Sequence, residues 1–294
     1  MSIILHDFTK EPWETIRPFY SLGPHIGGSE APCVDGTNSF TSGYTLMMRK
    51  RGVEEFPDIS GQLNVQRGHS LEPVALNEVA GIYDTNIFKP NCMLLSEDYP
   101  WAIADLDGVT DDGWMVEVKT TSSYPKIEQA KSGEVPPDYM SQGDHYLAFT
   151  QFEGCPNPGE PFKGVIYAIF HHVHQPLILI QVTREERLDN TRELMLKEEA
   201  FIKLFKSDQM PEPDGHPSTS KSLRAQYDTG RKTATASNDD LEDRNIYTEA
   251  SKEIKRLEAI KLKAGNSLRS RMGSEIQSIK GVCSLDKRNI LRVK

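Results

Sequence analysis

Asp107, Glu117 and Lys119 stand in the stretch LDGVTDDGWMVEVK, residues 106–119, and the chemistry open to them depends on how the chain turns between them. If Asp111-Asp112-Gly113 forms a three-residue hairpin loop with Gly113 in the left-handed conformation, Thr110 faces Trp114 and Asp107 falls opposite Glu117. Two carboxylates then sit about 5 Å apart on neighbouring strands. Side chains alternate along a strand, so Lys119 shares the face of Glu117 while Val116 and Val118 turn to a core. Like charges so opposed repel unless a cation lies between them, and hard cations such as Mg²⁺ prefer carboxylate oxygen. The ammonium one step along can orient a water or stabilise developing negative charge. The plain alternative is a charged hairpin in solvent. A calcium loop numbered from Asp105 fails, because Thr110 stands where that loop needs glycine and Val116 where it needs glutamate.

The elements around this hairpin read as mixed α/β. SGYTLMMRKRG (42–52) has helical spacing, and RGHSLEPVALNEVAG (67–81) predicts a helix that stops at Gly81, with Pro73 best placed in a first turn. Strand-like segments follow at 92–95, 101–109 and 114–119, then a helix over DYMSQGDHYLAFTQF (138–152). GVIYAIFHHV and LILIQV form an apolar strand pair split at HQP, and TREERLDNTRELMLKEEAFIKLF (183–205) is an amphipathic helix whose apolar face is Leu188, Leu194, Leu196, Phe201, Ile202 and Leu204. Residues 1–205 thus make the core domain. Residues 206–243, rich in Pro, Gly, Ser, Thr and Asp, read as linker or surface loop. Residues 244–294 read as a basic amphipathic helical extension, one long helix or a hairpin bent near Gly265-Asn266.

The formal charge of the 294 residues is −9, yet 244–294 carries a net +8 and the remainder −17. That asymmetry suggests a basic arm on an acidic body, which suits a polyanionic partner only if the body's carboxylates gather cations. Apolar runs such as LILI fall short of a bilayer span, and the opening MSIILHDFTKEPWE lacks the basic and long apolar regions of a secretory leader, so no membrane partner and a cytoplasmic location are expected. Cys33, Cys92, Cys155 and Cys283 are scattered, without a C-x-x-C pair, and read as reduced structural thiols. In HHVH (171–174), His172 and His174 alternate on a strand with no carboxylate near, which gives them a structural or surface role. Trp101 reads as core rather than as a platform for bases.

The order IGGSE (26–30), GHSLE (68–72), LDG (106–108), EVK (117–119), QGDHY (142–146) resembles the PD-(D/E)xK nuclease superfamily, and within it the YqaJ and lambda-type phage exonuclease family. The resemblance spans roughly residues 20–205. It implies a restriction-endonuclease-like core, a central mixed β-sheet flanked by helices. It makes Asp107, Glu117 and the carbonyl of Val118 metal ligands and Lys119 the group that positions or deprotonates the attacking water. Glu72 is similar to the helix-borne carboxylate that completes the metal site directly or through water; its plain reading is a surface glutamate in a first helical turn. Gln142 resembles the glutamine that supports lysine and water, with Tyr146 one turn on. Ser29, after Gly27 and Gly28, resembles the 5′-phosphate contact, and its plain reading is an ordinary N-cap. Two departures stand out: Leu22 occupies the region where the family has an arginine, leaving Arg17 or His25 as substitutes, and Leu106 replaces the usual proline.

By resemblance, then, the expected activity is a Mg²⁺-dependent 5′-to-3′ exonuclease on double-stranded DNA with a free end, using two ions, with Mn²⁺ as an alternative. It would leave 3′ single-stranded tails for a strand-annealing protein in phage-type recombination, and would act as a homo-oligomer, a trimeric ring in the family. The alternatives are a related endonuclease, a RecB-like nuclease module, or a DNA-binding or annealing protein on an inactive nuclease fold. The absence of clustered cysteines argues against the iron–sulfur branch.

Overall fold

From Ser2 to Tyr227 short strands and helices alternate in the computed structural model. The order is β1 Ser2–Asp7, α1 Trp13–Ser21, β2 Ile26–Gly27, α2 Ala31–Asp35, α3 Gly43–Lys50, α4 Leu63–Tyr83, β3 Ile87–Phe88, β4 Cys92–Ser96, β5 Ala102–Ala104, β6 Gly108–Thr110 and β7 Met115–Thr120. Then come α5 Tyr124–Lys131, α6 Pro137–Tyr146, β8 Gly164–Phe170, β9 Ile178–Thr183, α7 Arg184–Lys206 and α8 Pro217–Tyr227. A second unit holds α9 Asn238–Met272, β10 Ser278–Ile279, β11 Cys283–Leu285 and β12 Leu291–Val293. The structure describes residues 2–170, 176–227, 234–286 and 290–293, without the side chains of 13, 14, 17, 18 and 227, and divides into units Met1–Asp228 and Thr229–Lys294.

The first unit is the mixed α/β fold expected from the sequence. One sheet has the order β3-β6-β7-β8-β9, with β7 and β8 parallel and the other pairs antiparallel; a second has the order β1-β4-β5-β2. Period-two alternation explains why the first sheet is covered on both faces. Met115, Val165, Tyr167 and Ile169 point into a core shared with α5, α6 and α7, while Val116, Ile166, Ala168 and Phe170 meet Ala75 and Val79 of α4.

Several expectations are corrected. The helix around Glu72 begins at Leu63, so Pro73 lies in its interior, and it runs through Gly81 to end at Asp84, whose φ is 50°. Nothing in LNVQR breaks a helix, which is why the element extends upstream. The strand-like run 101–109 is two strands, β5 and β6, parted at 105–107. On α7, capped by Thr183 and Glu186 as a capping box, Leu196 is exposed while Met195 and Glu198 are buried. Within 206–243, read as linker or loop, residues 217–227 form α8. It docks on α3 through hydroxyls: Ser42 Oγ to Thr219 Oγ1 at 2.7 Å and Thr45 Oγ1 to Ser222 Oγ at 3.0 Å, with Thr219 and Ser222 buried. The stretch 171–174 lies outside the described residues.

In the second unit α9 continues through Gly265-Asn266 without a break, starting from a Ser237–Asp240 capping box. One interior glycine costs only about 1 kcal/mol against alanine, too little to break so long a helix. Beyond Met272 the chain is not helical: β10, β11 and β12 form an antiparallel sheet. All four cysteines are free and buried. Among the described residues no helix is long and apolar enough to cross a membrane.

Candidate active site

β6 and β7 pair with Gly108 opposite Val116 and Val109 opposite Met115, so Asp107 and Glu117 are the next opposed positions. Gly113 takes φ 89°, and the N–H of Thr110 donates to the carbonyl of Trp114 at 2.9 Å, which is the hairpin that the sequence requires. β7 then runs beside β8, with Glu117 next to Tyr167 and Lys119 next to Ile169. α6 lies on this face and presents Gln142 and Tyr146 one turn apart.

The polar groups close on one another. Lys119 Nζ is 2.6 Å from Glu117 Oε1 and donates to Gln142 Oε1 at 2.7 Å. Gln142 Nε2 in turn donates to Glu117 Oε1 at 2.8 Å and to the Tyr146 hydroxyl at 2.9 Å, and that hydroxyl donates to the carbonyl of Asp105 at 3.1 Å. Asp107 Oδ2 accepts the N–H of Val118 at 2.8 Å. Because a strand residue sends its N–H and C=O to the same edge, the Val118 carbonyl faces the Asp107 side as well. Lys119 also lies 5.5 Å from the centre of the Tyr139 ring.

Asp107, Glu117, Val118, Lys119, Gln142 and Tyr146 line one cleft of 410 Å³, together with Gly27, Gly28, Ser29, Glu72, Asn64, His69 and Asp105. Glu72 sits mid-helix rather than in a first turn, and its carboxylate is paired with Lys89. Among the described residues no three His, Cys, Asp or Glu side chains gather closely enough to hold a metal ion by themselves. Arg17 falls on α1 with its side chain outside the described residues. His25 packs on Tyr20 at 5.1 Å, its pKa lowered by burial, and does not line the cleft.

Burial dominates the electrostatics. It pushes the Asp107 carboxyl well above its ordinary range, with repulsion from Glu117 adding to the effect and Lys119 opposing it. It lifts Glu117 against the pull of Lys119, and lifts Asp105 to about 7. Lys119 moves up, since Glu117 and Asp107 outweigh the burial of its charge. Among the described residues, Asp105, Asp107, Glu117 and Glu72 thus face two ammonium groups, Lys119 and Lys89. Sequence reasoning misses Asp105, although it stands in the same stretch: assigned to an unbroken strand, it gains no place in the site. Lys89 and Tyr139 come from distant segments, and no spacing announces them.

The Gly27-Gly28-Ser29 turn is fixed from behind. Glu30 Oε2 accepts the Gly27 N–H at 3.0 Å and pairs with the fully buried Lys50 ammonium at 2.8 Å. Ser29 itself is exposed and precedes Glu30, the N-cap of α2, so it is not the cap. Gly28 is required by packing: a Cβ there would stand 2.4 Å from Tyr146 Cε1 and 2.7 Å from its hydroxyl. Gly28→Ala is therefore expected to displace Tyr146 from Gln142 and Asp105. The expected cost is roughly 1–3 kcal/mol of stability from overpacking and on the order of 10²-fold in turnover from misplacement, read by urea denaturation and initial rates. A variant with wild-type rates would show that Tyr146 does not hold the site.

Residues 12–153 match the model of the YqaJ-like viral recombinase domain. Over 123 residues the chain is 27% identical to the uncharacterized protein YqaJ of Bacillus subtilis (strain 168), an alignment that covers 42% of this chain and 38% of that protein. The chain therefore matches well under half the length of this relative. Among solved structures it is similar to an alkaline exonuclease of Laribacter hongkongensis, with a TM-score of 0.48, 15% identity, and coverage of 70% of this chain and 95% of that one. The complex of that exonuclease with dAMP gives a TM-score of 0.49 at the same identity and coverage. Residues 12–153, just under half of the chain, are thus similar to the YqaJ-like viral recombinase domain, and the motifs named above stand in that stretch in the family's order.

Proposed function

We propose that the chain is a divalent-metal-dependent deoxyribonuclease that degrades duplex DNA from a free end, 5′ to 3′, and leaves 3′ single-stranded tails for recombination. The observation that carries this reading is the closed set of Asp107, Glu117, Lys119 and Gln142 in one cleft with the Gly27–Ser29 turn. Polarity, the use of tails by a strand-annealing protein and assembly into a ring come from the family and are proposals for this chain.

The residues fit a hard divalent cation by their chemistry. Among the described residues carboxylates outnumber ammonium groups around the cleft, and Asp107, Glu117 and the Val118 carbonyl are all-oxygen donors on adjoining strands. Three protein oxygens suffice for Mg²⁺, which keeps several waters, and Mn²⁺ suits the same donors. Glu72 would join such a set, directly or through water, on leaving Lys89; a second ion would share these carboxylates. Bound there, the cation would polarise a phosphodiester oxygen and lower the pKa of water. The chain's own work is separate. The Val118 N–H fixes one Asp107 oxygen and leaves the other to the cleft. Glu117 and Gln142 aim the Lys119 ammonium, which orients a water and meets negative charge as it develops. Ser29 and the turn beside it offer donors to a terminal phosphate.

The test is release of label from linear duplex DNA marked at its 5′ or 3′ end, with Mg²⁺, Mn²⁺ or EDTA, beside closed circular DNA. Early loss of the 5′ label in metal alone, with circles intact, is the expected result. Cutting of circles would make the protein an endonuclease, and inertness toward every substrate would remove the enzymatic reading.

A further inference from the structure

Next to the cleft lies a second concavity, 650 Å³ in volume, that shares Asn64 and Thr120 with it and so continues from the end of β7 beyond Lys119. Thr121 and Ser122 line it with a run of hydroxyls. One wall carries Arg67 of α4, exposed and without an ion pair among the described residues. The other carries Lys126, which lies 4.4 Å from the centre of the Tyr139 ring and is paired with Asp138. At the rim Phe40 is 80% exposed, yet its turn is fixed, because Asn38 Oδ1 accepts the N–H groups of Phe40 at 2.8 Å and Thr41 at 3.0 Å.

A large aromatic held out in water on a rigid turn gains nothing for the fold. Beside a guanidinium without a partner and a row of hydroxyls it has the makings of a single-strand track, in which bases stack on a ring while the backbone follows donors and cations. We infer that this groove binds the nucleotides that follow the scissile phosphate on the cleaved strand. Phe40 stacks on a base, and Arg67 with the Thr121–Ser122 hydroxyls contacts the phosphates. The inference rests on the proposed nuclease reading for its direction: the Gly27–Ser29 turn lines the cleft and not the groove, so a strand whose 5′ phosphate sits at Ser29 leaves through the groove.

The probes are 5′-phosphorylated single-stranded DNA, a dinucleotide that ends within the cleft and a hexanucleotide long enough to reach the groove. Their affinities for the full chain are measured by competition in EDTA, where no hydrolysis intervenes. The hexanucleotide is expected to bind more tightly than the dinucleotide. Phe40→Ala should lower the ratio of the two affinities about tenfold, the effect of losing one stacked base, and Phe40→Tyr should restore it. Arg67→Gln should flatten the salt dependence of hexanucleotide binding by about 0.7 in log–log slope, the share of one phosphate contact on a single strand. Both side chains are exposed, so the substitutions leave the core intact.

Wild-type ratios in Phe40→Ala and Arg67→Gln would overturn the groove, as would a wild-type chain that binds both probes equally. If the ratios fall as expected but no DNA is cut in Mg²⁺ or Mn²⁺, the nuclease reading fails and the strand track stands. If linear DNA is cut and the ratios do not move, the track alone fails.

Discussion

Lys119→Ala is expected to slow release of nucleotides from linear duplex DNA by about 10²–10⁴-fold, the range for loss of a positioned proton-transfer or charge-stabilising group. The lysine is singled out by its surroundings. Its ammonium is held by two acceptors, Glu117 Oε1 and Gln142 Oε1, within 2.7 Å and lies against Tyr139 on the third side. A flexible side chain is thereby reduced to one pose before substrate arrives, and no other side chain in the cleft can supply that charge from the same place. Lys89, the other ammonium at this site, is tied to Glu72. Gln142→Ala should cost less, since it removes an aiming group and leaves the charge. Initial rates with saturating Mg²⁺, beside melting curves to establish that each variant is folded, decide the matter. Activity of Lys119→Ala within tenfold of wild type would displace the lysine from the chemistry.

Glu198→Ala should be the most damaging substitution for stability. Its carboxylate is fully buried behind the site, 2.8 Å from His145 Nδ1 and accepting the Trp101 indole N–H at 3.2 Å, while His145 Nε2 reaches the carbonyl of Ile103 at 3.0 Å. The Glu198 carboxylate and the Ile103 carbonyl at its two ring nitrogens favour the imidazolium form of His145. Removing the carboxylate strands a buried cation and an indole donor, at roughly 3–5 kcal/mol, measurable by urea denaturation at pH 6. Burial opposes the charge on His145, but Glu198 and the Ile103 carbonyl raise its pKa above the ordinary 6.5. The folded state therefore binds the proton more tightly than the unfolded one. This contribution is complete below about pH 6.5 and is lost as pH rises through the raised value. In Glu198→Gln that loss on the alkaline side should disappear. Stability profiles of the same shape for the wild type and Glu198→Gln would show that the pair carries no charge.

The hairpin and its register are legible in the residues because two independent rules agree there: a glycine in the left-handed position fixes loop length, and alternation of Val116, Glu117, Val118 and Lys119 fixes which face is which. The same residues carry the family resemblance, and α6 supplies Gln142 where that resemblance requires it. The boundary errors have physical reasons. α8 reads as linker because it docks by serine and threonine hydroxyls, which hydrophobic periodicity does not register. Leu196 reads as core on the amphipathic helix, whereas the structure exposes it and buries Glu198. Partners from elsewhere in the chain, Trp101 and His145, make the glutamate worth burying. Asp105 reads as a strand residue because the break between β5 and β6 has no proline or glycine to announce it before Gly108.

The interior proline of α4 leaves the helix with unequal halves. Pro73 has no N–H to offer the carbonyl of His69, so the ladder lacks a rung at the level of the cleft. On the C-terminal side Ala75 and Val79 are anchored in the core against Val116 and Ile166; on the N-terminal side Asn64, Gly68, His69 and Glu72 form a cleft wall with no residue fully buried. Local opening of the first half gives up only the core packing of the partly buried Leu71, and the free energy separating its closed and open forms lies well below that of global unfolding. One wall of the cleft is thus mechanically compliant while the opposite wall, the β7 strand with its carboxylates and lysine, is rigid.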